Sequence, residues 1–236
     1  MRIKERYKKV FGWFEENQPV VKTELQYKRP YELVVAVILS AQCTDKMVNK
    51  VTKNLFTKYL KIDDYANVGQ EEFEKDIKST GFYRNKAKNI IAAARLILNK
   101  HNGIVPKTMD EILTVPGVAR KTANVVLGNA YNRVEGIAVD THVLRISQRL
   151  RLVNTGKVSR GKKPLFVSKT NTLDYYKDAD PVKVENELMV AISKKDWFKI
   201  NYLLINHGRT LCKAQNPSCS QCPLSTICPV SRTKIR

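Results

Sequence analysis

Four of the five cysteines stand close together near the end of the 236-residue sequence, where their thiolates could bind a metal. Cys212, Cys219, Cys222 and Cys228 fall within seventeen residues, whereas Cys43 is isolated. On ligand chemistry alone, four thiolates suit either a cubane iron–sulfur cluster or a tetrahedral zinc ion. Structural zinc sites usually combine two short Cys-x-x-Cys-like elements, and only Cys219 and Cys222 form one here. A disulfide knot is the third alternative, but we expect free thiols because no signal-peptide core precedes the domain.

A Pro-Gly turn between two helix-like segments could bind a phosphate. The segment Leu113–Lys121 reads LTVPGVARK. Gly117 can adopt backbone conformations closed to other residues, so successive amide N–H groups in the turn could face one anion. The N-terminus of the following helix adds its dipole. Such a turn would hold a DNA backbone without reading its sequence, although an ordinary helix–turn–helix corner also contains Pro-Gly.

Two charged residues at expected helix starts could carry out nucleophilic and acid–base chemistry. We predict Lys121 at the buried start of a helix, where desolvation and the helix dipole favour the unprotonated, nucleophilic amine. Asp140 precedes Thr141, and a fixed carboxylate there could stabilise positive charge or accept a proton. Taken alone, these residues are more simply read as a solvated lysine and as an aspartate that caps a helix.

Several motifs together resemble the endonuclease III family. They are Leu39–Asp45 (LSAQCTD), Gly81–Ala87 (GFYRNKA), the hairpin continuing through Lys121–Asn124 (KTAN), Val139–Val143 (VDTHV) and the cysteine run. Their order follows the family from about Tyr31 to Pro229, and such a joint match is far more specific than any single motif. The resemblance implies a helix-hairpin-helix DNA glycosylase with AP-lyase activity. It also implies a [4Fe–4S] cluster on Cys212, Cys219, Cys222 and Cys228.

The resemblance assigns roles to individual residues. Lys121 would attack C1′ of the damaged nucleotide, expel the base and form a Schiff base that permits β-elimination. Asp140 would stabilise charge on the sugar or deprotonate the amine, with His142 in a supporting role. Gln42 and Phe82 match the positions that fill the gap left by an extruded nucleotide and wedge the duplex, although a buried amide and a core aromatic are the simpler interpretations. The hairpin residues expected to contact DNA are Val115, Gly117, Ala119 and Arg120.

The sequence also departs from the family, and two other functions compete. Ala119 stands where many members have a second hairpin glycine, which could alter one approach to a phosphate. Adenine-specific relatives carry a glutamate in the helix corresponding to Leu33–Leu39 and generally lack the hairpin lysine. Ala36 and Lys121 therefore rank that function second. A DNA-binding module without catalysis is the alternative of a different class.

The elements that must position these residues read as helices. Apolar residues recur at helical spacing in Tyr31–Leu39, Lys86–Lys100 and Val182–Ile192. Thr108 to Glu111 has capping-box spacing and predicts a short helix beginning near Met109. Asn102-Gly103 predicts a helix C-cap rather than a β-hairpin. The sequence therefore predicts an all-α fold.

The resemblance implies two helical lobes with the catalytic pair at their junction. Residues 24–134 would form a helical barrel that contains the helix-hairpin-helix. Residues 1–23 together with 135–236 would form a second, discontinuous domain that carries the cluster.

The charge of the chain favours a polyanionic partner. Lys and Arg number 42 against 22 Asp and Glu, which gives a net charge of +20, although a generally lysine-rich proteome would also explain it. The stretch Thr155–Thr170 has five basic and no acidic residues and predicts an exposed loop. No segment approaches the roughly 18 apolar residues of a membrane helix. We expect a cytoplasmic, nucleoid-associated monomer that binds damaged double-stranded DNA and no membrane.

Overall fold

The computed structural model describes residues 1–17, 22–161, 164–167, 172–231 and 233. Contacts divide the chain into a central unit, Lys22–Glu135, and a terminal unit, Met1–Val21 with Gly136–Arg236. The central unit contains α2 Pro30–Leu39, α3 Asp45–Lys58, α4 Ile62–Asn67, α5 Gln70–Ile77, α6 Tyr83–His101, α7 Met109–Ile112 and α8 Arg120–Tyr131, with a 3-10 helix at Lys78–Thr80. The terminal unit contains α1 Ile3–Asn17, α9 Thr141–Arg149, α10 Thr155–Val158, β1 Phe166–Val167, β2 Thr172–Leu173, α11 Pro181–Ala191 and α12 Trp197–Thr210, with 3-10 helices at Lys194–Asp196, Cys219–Gln221 and Pro223–Thr226.

The predicted helical class is confirmed, with one small exception. Strands β1 and β2 pair in antiparallel fashion, with Phe166 opposite Leu173. Two-residue strands are too short to show the alternation of apolar and polar residues on which strand prediction depends, so the sequence did not reveal them.

Of the predicted exposed basic loop over residues 155–170, the part that the structure describes is largely exposed, as predicted, but it is not a loop throughout. It contains α10, which Asn154 caps by accepting hydrogen bonds from the amides of Gly156 and Lys157. The Arg160 guanidinium lies 3.1 Å from the Asp180 carboxylate, so acidic residues outside the stretch neutralise part of its charge. Lys162, Lys163, Lys169 and Thr170 lie outside the described residues.

Helix α2 forms the middle of the central unit's core and leads to one candidate loop. Every residue from Glu32 to Leu39 is buried, which explains why its sequence is a continuous apolar run. Buried Glu32 is satisfied because its Oε2 accepts hydrogen bonds from the amides of Lys28 at 2.6 Å and Arg29 at 3.1 Å. The helix packs against α6 and α8, and its contacts with α8 hold the helix that follows the Pro-Gly turn in place.

The predicted ends of two further helices are confirmed. Thr108 Oγ1 accepts a hydrogen bond from the Glu111 amide, and α7 begins at Met109. Asn102 adopts a left-handed conformation at the C-cap of α6, and the Gly103 amide donates to the Ile97 carbonyl at 3.0 Å.

Candidate active site and metal centre

The predicted helix-hairpin-helix is present in the central unit, between α7 and α8. Gly117 has a φ of +77° in the turn, and the Val118 amide donates to the Val115 carbonyl at 3.0 Å. A Cβ atom on Gly117 would lie 2.9 Å from Cβ of Asn89, so the turn also approaches α6 too closely for a side chain. Val115 is buried, and its amide donates to the Ile112 carbonyl, so it stabilises the turn from within.

The start of α8 follows the turn and lies at the surface. Ala119 is its N-cap and has an extended conformation, φ −89° and ψ 169°, which needs no glycine. Alanine offers no side-chain acceptor for the amides in the first turn of α8. A phosphate oxygen is the type of acceptor that a helix start of this kind binds.

Lys121 is the second residue of α8 and is exposed. The prediction that it lies at a buried helix start is therefore wrong. The buried residues of α8 begin at Ala123.

We expect Gly117→Ala to destabilise the chain more than Gly103→Ala does. Both glycines have a φ of +77°, but a Cβ on Gly103 would make only an ordinary 3.8 Å contact with Ile62. The shared left-handed strain costs about 1 kcal/mol, and the clash with Asn89 adds about 1–2 kcal/mol at Gly117 alone. Urea unfolding measures the free energy of unfolding of the two variants. Equal losses of stability would show that the close approach to Asn89 does not contribute to the difference.

Gln42 and Phe82 are exposed residues with left-handed backbone conformations in the central unit. Their φ values are 53° and 48°, and 63% of Phe82 is accessible. The simpler interpretations, a buried amide and a core aromatic, are therefore wrong. Positive φ is uncommon for residues with long or bulky side chains and is concentrated at functional sites.

Asp140 and His142 lie together at the start of α9 in the terminal unit. Asp140 Oδ1 accepts hydrogen bonds from the amides of His142 and Val143, each at 2.8 Å, and Oδ2 lies 2.9 Å from His142 Nδ1. Asp140 thus caps the helix, as the simpler interpretation expected, and these bonds also fix the direction of its carboxylate. The side chain remains 16% accessible.

Close packing of α9 and α12 supports this carboxylate. A Cβ atom on Gly208 would lie 2.6 Å from Cδ1 of Ile146 and 2.9 Å from Cδ2 of His142, so only glycine lets α12 pass here. Arg145 Nη2 donates to the carbonyls of Gly208 at 3.3 Å and Cys212 at 3.0 Å. Helix α9 is thereby tied to the segment that begins the cysteine run.

The four clustered cysteines line one cavity in the terminal unit. All are free thiols, so the disulfide alternative is not formed. Burial raises the pKa of Cys228 to about 11 and also raises that of Cys222, so these sulfurs need a nearby positive charge to become thiolates. In the described ranges, no three His, Cys, Asp or Glu side chains converge closely enough to hold a single metal ion. Four cysteine sulfurs are also the ligand set of a [4Fe–4S] cluster.

Buried polar residues around this cavity were missed at the sequence level. Arg149 forms two hydrogen bonds with the Asp174 carboxylate, at 2.7 and 2.8 Å, and its Nη1 lies 3.5 Å from Cys212 Sγ. Burial and the charge of Arg145 lower the pKa of His207 to about 4, which keeps its imidazole neutral, with Nε2 3.8 Å from Cys222 Sγ. The only signal was a pair of arginines four residues apart in α9.

None of the helices within the described ranges has the length and apolar character that crossing a membrane requires.

Comparison with known proteins yields matches over the whole chain. A model of the HhH-GPD superfamily of base excision DNA repair proteins matches residues 35–164, and a model of the iron–sulfur binding domain of endonuclease III matches residues 212–228. The chain is 46% identical to endonuclease III of Bacillus subtilis over 89% of this chain and 85% of that protein. It is 42% identical to endonuclease III of Synechocystis, over 96% and 93%. Among solved structures, it is similar to a trapped endonuclease III–DNA covalent intermediate, with 41% identity, complete coverage of both chains and a TM-score of 0.84.

Proposed function

Because the chain belongs to the endonuclease III family, it is a DNA glycosylase with AP-lyase activity, and we propose that Lys121 and Asp140 perform its chemistry on oxidised pyrimidines in duplex DNA. The assignment of Lys121 rests on its position in the exposed first turn of α8, directly after the Pro-Gly loop proposed to bind a phosphate. A phosphate held by that turn brings the sugar of a neighbouring nucleotide to the amine. Lesions of the oxidised or ring-saturated pyrimidine type are the proposed substrates, and the cytoplasm, at the nucleoid, is the proposed location.

The proposed reaction uses one amine for two steps. Lys121 Nζ attacks C1′ as the N-glycosidic bond breaks, and the base leaves with the bonding electrons and takes up a proton. The Asp140 carboxylate stabilises positive charge on the sugar and accepts a proton from the amine. The sugar ring then opens to a Schiff base, and β-elimination breaks the strand on the 3′ side. Because Lys121 is exposed in the chain alone, the damaged nucleotide itself excludes water from the amine.

The DNA contacts are divided between two sets of residues in this proposal. The hairpin amides of Gly117 and Ala119 and the Arg120 side chain hold phosphates, while Val115 supports the turn. Gln42 and Phe82 enter the duplex where the nucleotide is extruded. His142 keeps the Asp140 carboxylate in place, since its Nδ1 lies 2.9 Å from Oδ2.

The [4Fe–4S] cluster is held by Cys212, Cys219, Cys222 and Cys228, and it supplies a charged cross-link between segments of the terminal unit. The residues fit it because four free thiols line one cavity and the Arg149 guanidinium offers positive charge to Cys212.

Cysteine replacement separates the ligands from the isolated thiol. We expect Cys228→Ser to lose most of its iron and acid-labile sulfide, because a buried hydroxyl is a poor iron ligand. Cys43→Ser is the matched control and should keep about four iron atoms per chain, as a cluster of this type contains. Equal iron content in the two variants would remove Cys228 from the ligand set.

Borohydride trapping on a duplex with one thymine glycol tests the proposed function. The reductant converts a Schiff base into a stable amine, so we expect a covalent protein–DNA adduct with this duplex and none with an undamaged duplex. Base release without trapping, particularly from a duplex with a mispaired adenine, would favour a monofunctional glycosylase. Binding with neither trapping nor base release would favour the non-catalytic module.

Duplex affinity should fall steeply with salt. If about six phosphates are neutralised, the logarithm of the association constant falls against the logarithm of salt concentration with a slope of about −5, at −0.9 per phosphate. Arg120→Ala should make the slope shallower by about 0.9, whereas the same change at Arg95, on α6, should not. Fluorescence anisotropy across a salt series measures both, and a flat response would contradict phosphate binding.

A further inference from the structure

Lys86 is the one buried lysine among the residues that the structure describes, with 4% of its surface accessible. Its Nζ donates hydrogen bonds to two backbone carbonyls, Leu39 O and Thr80 O, each at 2.8 Å. Burial lowers the pKa of Lys86, which reflects the cost of placing an ammonium group in the core. Because burial of an ammonium group is unfavourable, a lysine at this position requires a structural or functional explanation.

The two carbonyls belong to segments far apart in sequence, and each lies two or three residues before a candidate DNA-inserting residue. Leu39 ends α2 three residues before Gln42. Thr80 ends the 3-10 helix two residues before Phe82. In addition, the Lys86 amide donates to the Phe82 carbonyl at 3.1 Å, so one residue holds the Phe82 turn through both its backbone and its side chain.

Both candidate DNA-inserting residues have left-handed backbone conformations that an unrestrained loop would not keep. Gln42 and Phe82 have φ values of 53° and 48°, and both side chains face solvent. Unrestrained loops would relax to ordinary backbone conformations and would lose that freedom again on binding DNA. A clamp between the two loops removes this cost in advance and fixes their spacing.

We propose that Lys86 is a positioning residue that joins the Gln42 loop, residues 40–44, and the Phe82 turn, residues 80–82, into one rigid wedge. This proposal rests on the DNA-inserting roles proposed above for Gln42 and Phe82. A role in capping α2 alone would explain the bond to Leu39, since cations suit helix C-termini, but it would not explain the bond to Thr80.

The test compares specific with nonspecific DNA binding. Lys86→Met keeps the length of the side chain and removes its donors. We expect affinity for an undamaged duplex to stay within about twofold, because the hairpin holds phosphates independently of the lesion. The preference for a duplex with a tetrahydrofuran abasic analogue should fall at least about tenfold. A 2-aminopurine opposite the analogue should lose the fluorescence increase that unstacking by the native chain produces.

Two variants on the same helix control for stability and for the loss of a side-chain hydrogen bond. Ile97→Val removes a buried methyl group about 16 Å along α6 from Lys86, at 1.5 Å per residue. Arg95→Met removes a 2.8 Å bond from Arg95 Nε to the Ala66 carbonyl. Both should keep the native preference for the abasic analogue. If Lys86→Met keeps that preference too, or if the controls lose it equally, the clamp is refuted.

A measurement on the unaltered chain decides the question if Lys86→Met does not fold. In the chain labelled with ¹⁵N-lysine, the buried ammonium of Lys86 should give a slowly exchanging signal. That signal should shift when the abasic duplex is added and stay in place with the undamaged duplex. A signal that responds to neither would refute the clamp. A native chain that does not distinguish the two duplexes at all would refute the proposed function, and the clamp with it.

Discussion

Replacing Lys121 by alanine abolishes borohydride trapping and lowers strand nicking by about a thousandfold or more, while the chain still binds the damaged duplex. The reason is that the primary amine is the only group in the proposed reaction that can form the Schiff base, and no neighbouring oxygen can replace it. Since Lys121 is exposed on α8, its removal leaves no cavity and should cost little stability.

Lys100→Ala is the matched control for this experiment. Lys100 is also exposed, in the last turn of the central unit's α6, so both variants lose one exposed lysine charge. Single-turnover nicking of a preformed abasic duplex measures the lyase step, and trapping measures the covalent step. If Lys121→Ala were trapped as well as the native chain, another amine would be the nucleophile. The hairpin would then serve only to bind DNA.

The sequence predicted best where one residue type is required by local backbone geometry. Gly117 has the positive φ expected of it, and Thr108 caps α7 through the hydroxyl expected of it. These are local demands that neighbouring residues alone determine. The extent of α2 was equally readable, because a helix buried on all sides is mostly apolar, and its buried Glu32 lies in the first turn, where free amides can bind it.

What the sequence could not supply was the burial of individual side chains by elements distant along the chain. Lys121 was expected to be buried, but the turn before α8 leaves it exposed. Lys86 and Arg149 look like surface residues in the sequence, yet both are buried with carbonyl or carboxylate partners contributed from elsewhere. Such partners become adjacent only after the chain folds, and no periodicity records them.

Asp140→Asn should lower base release by about 10²–10³-fold while changing the free energy of unfolding by less than about 1 kcal/mol. The asparagine keeps a side-chain oxygen that can accept from the amides of His142 and Val143, so the cap of α9 survives. It removes the negative charge at Oδ2, the oxygen beside His142 Nδ1. Activity and stability therefore respond separately, which Asp140→Ala would not allow because it also removes the cap.

Asp180 provides the matched control for the charge of a capping aspartate. It caps α11 through Oδ1, which accepts from the amides of Val182 at 2.9 Å and Lys183 at 3.3 Å, in the same unit as Asp140. Asp180→Asn should therefore keep full base release, and Asp180→Ala should lose only stability, about 1 kcal/mol. Release of thymine glycol under single-turnover conditions, with urea unfolding of each variant, measures both quantities.

The comparison decides between two roles that one geometry permits. The two amide bonds to Oδ1 would be made by any capping aspartate, and Asp180 makes the same pair. The feature of Asp140 that a cap does not need is a second oxygen held at 2.9 Å by an imidazole, which fixes the carboxylate plane and leaves its charge partly accessible. If Asp140→Asn releases base as fast as the native chain, the negative charge of Asp140 does not contribute to base release, and its role is limited to capping α9. If only Asp140→Asn slows release while both asparagine variants stay folded, the charge itself stabilises the transition state.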